Sequence, residues 1–385
     1  MMEYKKLGNI CNIVSGGTPS RSKSQYWDNG NIPWIKIRDI KSKYIEDSEE
    51  FITIEGLNNS SAKLLTKGTV LYTIFATVGE VGILKIDACA NQAIAGLTVK
   101  DETKILPEYL YYYLKSKKNI VNKLGRGVAQ NNINLSMLKE FEIEVIDIVK
   151  QNNIIKTLNY VDDIIKFKSL ELKQLDELVK ARFVELFGDP ATNEYNWPML
   201  NLENVSSIIT YGLTVRPTYV NKGIDLISAR ELHKGFIEYE VAPKISFNDF
   251  QSLSDKGKPL KNDILFSKTG SIGHCALVDT DKMFAITQNA ARLGLIIEKV
   301  NPVWLLYYLR MNYIQDWCKR HAKGNAVKDL QLKDIKAIPL FECPLELQNQ
   351  FADFVKEVDK SRLEVQKSLK KTQELFDSLM QKYFG

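Results

Sequence analysis

The sequence predicts an α+β fold assembled as a pseudo-twofold internal repeat. It reads as two similar globular domains and two long helices that pair as an antiparallel coiled coil. Two observations carry this. First, the chain repeats itself: Leu7, Asn9, Ile10, Ile13, Val14 and Gly17 recur 195 residues later as Leu202, Asn204, Val205, Ile208, Ile209 and Gly212. Lys67 to Gly79 returns as Lys261 to Gly273 at an offset of 194, and Val161 to Gly188 returns as Val358 to Gly385 at 197. A repeat this long duplicates whole domains, and 385 residues exceed what one core holds. Second, both closing segments carry a seven-residue apolar repeat free of Pro and Gly, the mark of a left-handed supercoil.

In chain order, residues 1–149 form the first globular domain. Val70 to Phe75 reads as a buried strand running into a turn at Gly79, and Pro107 to Lys115 as a helix opened by proline. Residues 150–188 form the first long helix. Its seam is Ile154, Leu158, Val161, Ile165, Lys168, Leu172, Leu175, Val179, Arg182 and Leu186, and it stops where Gly188 precedes Pro190. Residues 189–345 form the second domain, entered through a polar stretch up to Pro198. Its strand is Ile264 to Ser267, followed by a turn over Gly270 to Gly273, and its helix is Pro302 to Arg310. Residues 346–385 form the second long helix, with Phe351, Val355, Val358, Arg362, Val365, Leu369, Thr372, Phe376, Leu379 and Tyr383 on its seam.

Each long helix alone would be marginal, so its internal copy is the natural partner. Antiparallel pairing about midpoints near residues 170 and 367 makes the numbers of facing residues add to about 537. It sets Ile165 near Thr372 and Lys168 near Leu369.

Composition narrows the function without naming it. A hydrophobic content of 44% and a charged content of 26% belong to an ordinary folded protein. No signal peptide is expected from the charged opening residues, and no stretch is long enough to span a membrane. Cys11, Cys89, Cys275, Cys318 and Cys343 lack metal-ligand spacing and read as free thiols in a reducing cytoplasm. A net charge of +5 permits a polyanionic partner without demanding one.

Catalytic motifs fare poorly. Asn301-Pro-Val-Trp304 looks like an amino-methyltransferase signature, but a helix cap followed by a first-turn proline explains it, and no glycine loop holds a methyl donor. His274 and Cys275 lack clustered partners, and there is no phosphate-binding loop, so neither metal, nucleophile nor ATP chemistry is predicted.

The order of domain, long helix ending in Ala181 to Pro190, second domain and second helix resembles the specificity subunit of type I restriction-modification systems. The paired openings Leu7 to Pro19 and Leu202 to Gly212 are similar to the entrances of that family's two target-recognition domains. So are Ile35 to Ile40 and Ile227 to Leu232. The resemblance implies a non-catalytic, cytoplasmic subunit that reads a bipartite site in double-stranded DNA. Each domain would take one half-site, and the helices would set the unread gap. It implies two methyltransferase subunits docked around the helices, with S-adenosylmethionine bound on them, and restriction (translocase) subunits in the full complex. No cofactor is expected on this chain.

Base readout needs donors and acceptors on loops, and phosphate anchoring needs cations and close backbone approach. In the first domain these requirements select Thr18, Arg21 and Lys23 in a Gly-rich opening loop, Lys36 and Arg38, and Arg126, Gln130, Asn131 and Asn132. In the second they select Arg216, Arg230, Lys268 and Thr269, and Lys323, Asn325 and Lys328, with Arg126 and Gly127 aligning with Lys323 and Gly324. The other reading of the chain is a coiled-coil scaffold with two protein-binding domains.

Overall fold

The computed structural model describes residues 3–124, 132–325 and 327–385. They form two compact units, Met1–Ser169 with Lys367–Gly385, and Leu170–Gln366.

The first unit is organised on a five-stranded sheet in the order Cys11–Ser15, Ile94–Val99, Val70–Thr73, Val81–Leu84 and Tyr44–Ile45. Its pairs are antiparallel except the last. A smaller sheet joins Phe51–Ile52, Ile32–Ile35 and Cys89–Ala90. The Val70 strand ends at Thr73, earlier than predicted, and the chain bends from Phe75. The helix begun by Pro107 is longer than predicted and ends at Leu124.

The second unit repeats this plan. Its main sheet runs Ser206–Tyr211, Ala290–Leu295, Ile264–Ser267 and Cys275–Leu277, all antiparallel. Val70 faces Ile83 in the first unit and Ile264 faces Leu277 in the second, so the central hairpin has the same register in both. The openings repeat too. Tyr4–Lys6 pairs with Glu142–Glu144, and Met199–Asn201 with Pro339–Phe341, which ties each domain's first strand to the segment leading into its long helix.

The long helices run Ile148–Phe187 and Leu345–Phe384, and the first stops at Gly188 in the left-handed region (φ 77°). Every seam position predicted for either helix is buried or half-buried. In the second unit the two helices run antiparallel. Near one end the ring of Phe351 lies 5.9 Å from that of Phe187 and 5.3 Å from that of Phe183. Further along, Arg362 Nη2 donates to Asp176 Oδ1 at 2.7 Å. The numbers of that pair add to 538, one from the expected value.

In the first unit, Ile155, Leu158 and Val161 share a core with Phe376, Met380 and Phe384. Tyr112 joins the two sets, its hydroxyl on Asn159 Oδ1 (2.6 Å) and its ring 6.4 Å from Phe376.

Each long helix is also latched to its domain by a buried glutamine. Gln151 Oε1 accepts from Leu106 N (3.0 Å) and Nε2 donates to Lys104 O and Ile146 O. Gln348 does the same in the second unit: Oε1 accepts from Asn301 N (2.9 Å) and Nε2 donates to Cys343 O. Each satisfies a backbone N–H at a helix start that burial would otherwise leave unpaired.

Candidate nucleic-acid interface

In the first unit the opening glycines do not form an open cradle. Gly16 N donates to Ile94 O and Gly17 N to Ala90 O. A side chain at Gly16 would overlap the Ala90–Asn91 backbone, and one at Gly17 the Ser61–Ala62 backbone. The glycines therefore serve close packing between chain segments. Thr18 is half-buried and its hydroxyl donates to the Gln92 amide oxygen.

Beyond it the Arg21 guanidinium sits over Trp27, 3.6 Å from the ring centroid, with Trp34 at 4.9 Å. Its guanidinium also bonds Glu50. Lys36 bonds Glu50 as well, Arg38 lies 2.7 Å from Glu49, and Lys41 lies 3.4 Å from Glu49. Four cations thus share two carboxylates. Burial pushes the Glu50 carboxyl up, but hydrogen bonds from Lys36 and Arg21 outweigh it and hold the group below its ordinary range. Lys23 is exposed and donates to Tyr26 Oη at 3.0 Å. Asn132 is exposed, while Arg126, Gln130 and Asn131 lie outside the described residues.

Arg38 and Arg230 occupy the same place in the two units. Each sits on a short turn closed by an acidic side chain: Lys36 N donates to Asp39 Oδ2 (2.7 Å), and Ser228 N to Glu231 Oε2 (2.7 Å). Both arginines are exposed. Unlike Arg38, neither Arg230 nor the exposed Arg216 has an ion pair with a described residue.

The remaining candidates of the second unit are brought together by backbone pairing. Thr269 and Lys323 each bridge to Asp329, and Gly270 N donates to Lys328 O at 2.8 Å. Lys268 Nζ (2.5 Å) and Thr269 Oγ1 (2.6 Å) both donate to Asp329 Oδ1. Burial raises the Asp329 carboxyl, but those two donors outweigh it and hold the group below its ordinary range. Lys268 is therefore largely committed inside the protein, whereas Lys323, Asn325 and Lys328 are exposed on the loop it braces. Glu49, Glu50 and Asp329 were not singled out in the sequence, because their partners lie 8 to 61 residues away.

The catalytic look-alikes have structural roles. Asn301 Oδ1 caps the Pro302–Arg310 helix by accepting from Val303 N and Trp304 N, and Trp304 is buried. Cys275 is buried, and burial lowers the neighbouring His274 imidazole. Among the described residues no group of three or more His, Cys, Asp or Glu is arranged to hold a metal, and no helix is long and apolar enough to cross a membrane.

Comparison with known proteins agrees with this architecture. The specificity subunit of the type I restriction enzyme MjaIX from Methanocaldococcus jannaschii is 26% identical over 408 aligned positions, covering 99% of this chain and 92% of that protein. The fold is shared with a solved type I restriction-modification S subunit from M. genitalium (TM-score 0.56, 16% identity, 100% of this chain and 96% of that one). It is also shared with a chain in a structure of type I system assembly and conformational transition (TM-score 0.63, 16% identity, 100% and 97%). The model of the type I restriction modification DNA specificity domain matches twice, over residues 1–177 and 215–375, so the chain belongs to that family.

Proposed function

We propose that this chain is the DNA-reading subunit of a type I restriction-modification complex. Each domain contacts one half of a bipartite duplex site, and the paired helices hold the two readers at a fixed interval. Methyl transfer to adenine, with its S-adenosylmethionine, belongs to two partner methyltransferase subunits, and cleavage to restriction subunits, all in the cytoplasm.

The observation that carries this reading is the combination of repeated scaffold and divergent surface. The order of the four antiparallel main-sheet strands, the hairpin register and the glutamine latch recur in both units. The exposed polar loops differ in residue and in pairing. Two readers of one design with different loops suit a site with two different halves. The candidate set supports it chemically, since Arg and Lys on exposed turns are the side chains that take guanine edges and phosphates.

The test is to co-express the chain with its partner methyltransferase and map methylated adenines across a genome. A gapped, two-part motif is the expected result. A continuous motif, or none, removes this function and favours a protein-binding scaffold.

A further inference from the structure

The hairpin at the centre of each main sheet carries the same latch. Thr73 Oγ1 donates to Thr77 O and accepts from Glu80 N (2.8 Å). Ser267 Oγ donates to Ser271 O (2.6 Å) and accepts from His274 N (2.9 Å). Gly79 and Gly273 close the two turns at φ 96° and 97°, and the third tip position is left-handed in both, at Ala76 (φ 62°) and Gly270 (φ 83°). An alanine held in the conformation that glycine adopts freely shows how firmly this turn is specified.

What the latch presents is different in each unit. The second tip carries Lys268 and Thr269, both spent on Asp329. In the first, the equivalents are the buried Ile74 and Phe75, which is 40% exposed. In both units the tip also bonds the segment that follows the candidate basic loop: Ile133 N to Ile74 O (3.0 Å), and Leu330 N to Lys268 O (2.8 Å).

We propose that the hairpin tip of the first unit is a base-contacting element that reads its half-site through an apolar contact from the Phe75 ring, whereas the corresponding tip of the second unit braces its basic loop through Lys268, Thr269 and Asp329. This rests on the DNA-reading function proposed above. A two-stranded ribbon fits the major groove, where apolar side chains recognise the thymine methyl group. A rigid tip places that ring without an ordering cost on binding. The duplicated latch with unlike tips is the pattern two readers of unlike half-sites require.

The experiment uses the assembled complex of the full chain with its methyltransferase partner, bound to duplexes carrying its mapped site. Phe75→Ala is expected to weaken binding about ten-fold, the scale of one apolar base contact. The dependence on salt should not change, because no phosphate contact is lost. Discrimination should fall at one base of the half-site read by the first domain and stay intact in the other, and Phe75→Tyr should restore most of the affinity. The melting temperature reports the fold separately. Retained affinity and discrimination overturn the proposal, as does equal loss over both half-sites. If the wild-type complex shows no gapped site, the DNA-reading function itself fails, a result distinct from a silent Phe75.

Discussion

Asp176 and Arg362 face each other across the two long helices, carboxylate and guanidinium 2.7 Å apart, and Arg362 also bonds Asp359 on its own helix. A cation on a mostly apolar seam thereby has a partner on the other helix. The pair is half open to solvent, so its worth lies in fixing register more than in stability; exposed pairs contribute about 0.2–1 kcal/mol. With cysteines at positions 176 and 362, a short bismaleimide should link the two within one chain. Links only between chains would contradict intramolecular antiparallel pairing.

The glutamine latches should matter more than their polarity suggests. Gln348→Ala leaves the part-buried Asn301 N–H without its acceptor, which costs about 1–3 kcal/mol. Denaturant unfolding should show that loss, and Gln151→Ala a similar one through Leu106 N.

Phe351 is fully buried against Phe183, Phe187 and Tyr307. Phe351→Ala should destabilise the second unit by about 3–5 kcal/mol, measured by thermal or denaturant melting.

The lysines of the second unit should separate by role. Lys323→Ala and Lys328→Ala should each lower the slope of log affinity against log salt by about 1 with little change in melting temperature. Lys268→Ala should change melting and loop protection first, because its ammonium braces Asp329.

Asp329 also predicts a pH dependence. Its carboxyl is held below the usual range in the folded state, so its clasp contributes fully above the ordinary aspartate pKa of about 4 and is lost as pH falls through the lower folded value. Exchange at the Leu330 amide, which bonds Lys268 O, should rise below about pH 4 beyond the intrinsic trend, and Asp329→Asn should show that exposure at neutral pH.

Much of the scaffold was legible in the sequence because periodicity and duplication both report burial. The seam residues are covered, and Pro302 to Arg310 is the observed helix. Ile155, Phe183, Phe187, Met380 and Phe384 were missed because the helix ends bury a second face against the globular cores, and a heptad seam counts only one. Gln151 and Gln348 carried a usable signal: one polar residue at the helix offset of 197, just ahead of the seam. The candidate cations were harder to read. Arg21, Lys36 and Arg38 meet carboxylates supplied by a segment 11 to 29 residues away, and only the fold brings those together.

The most direct test of the account exploits the duplication. A chain in which the second domain is replaced by a copy of the first, with both long helices kept, is assembled with the methyltransferase partner and its methylated sites are mapped. Two equal readers on antiparallel helices predict a gapped palindrome, with the half-site of the first domain on both sides of an unchanged gap. A folded, methylating complex that still marks the original asymmetric motif would contradict it.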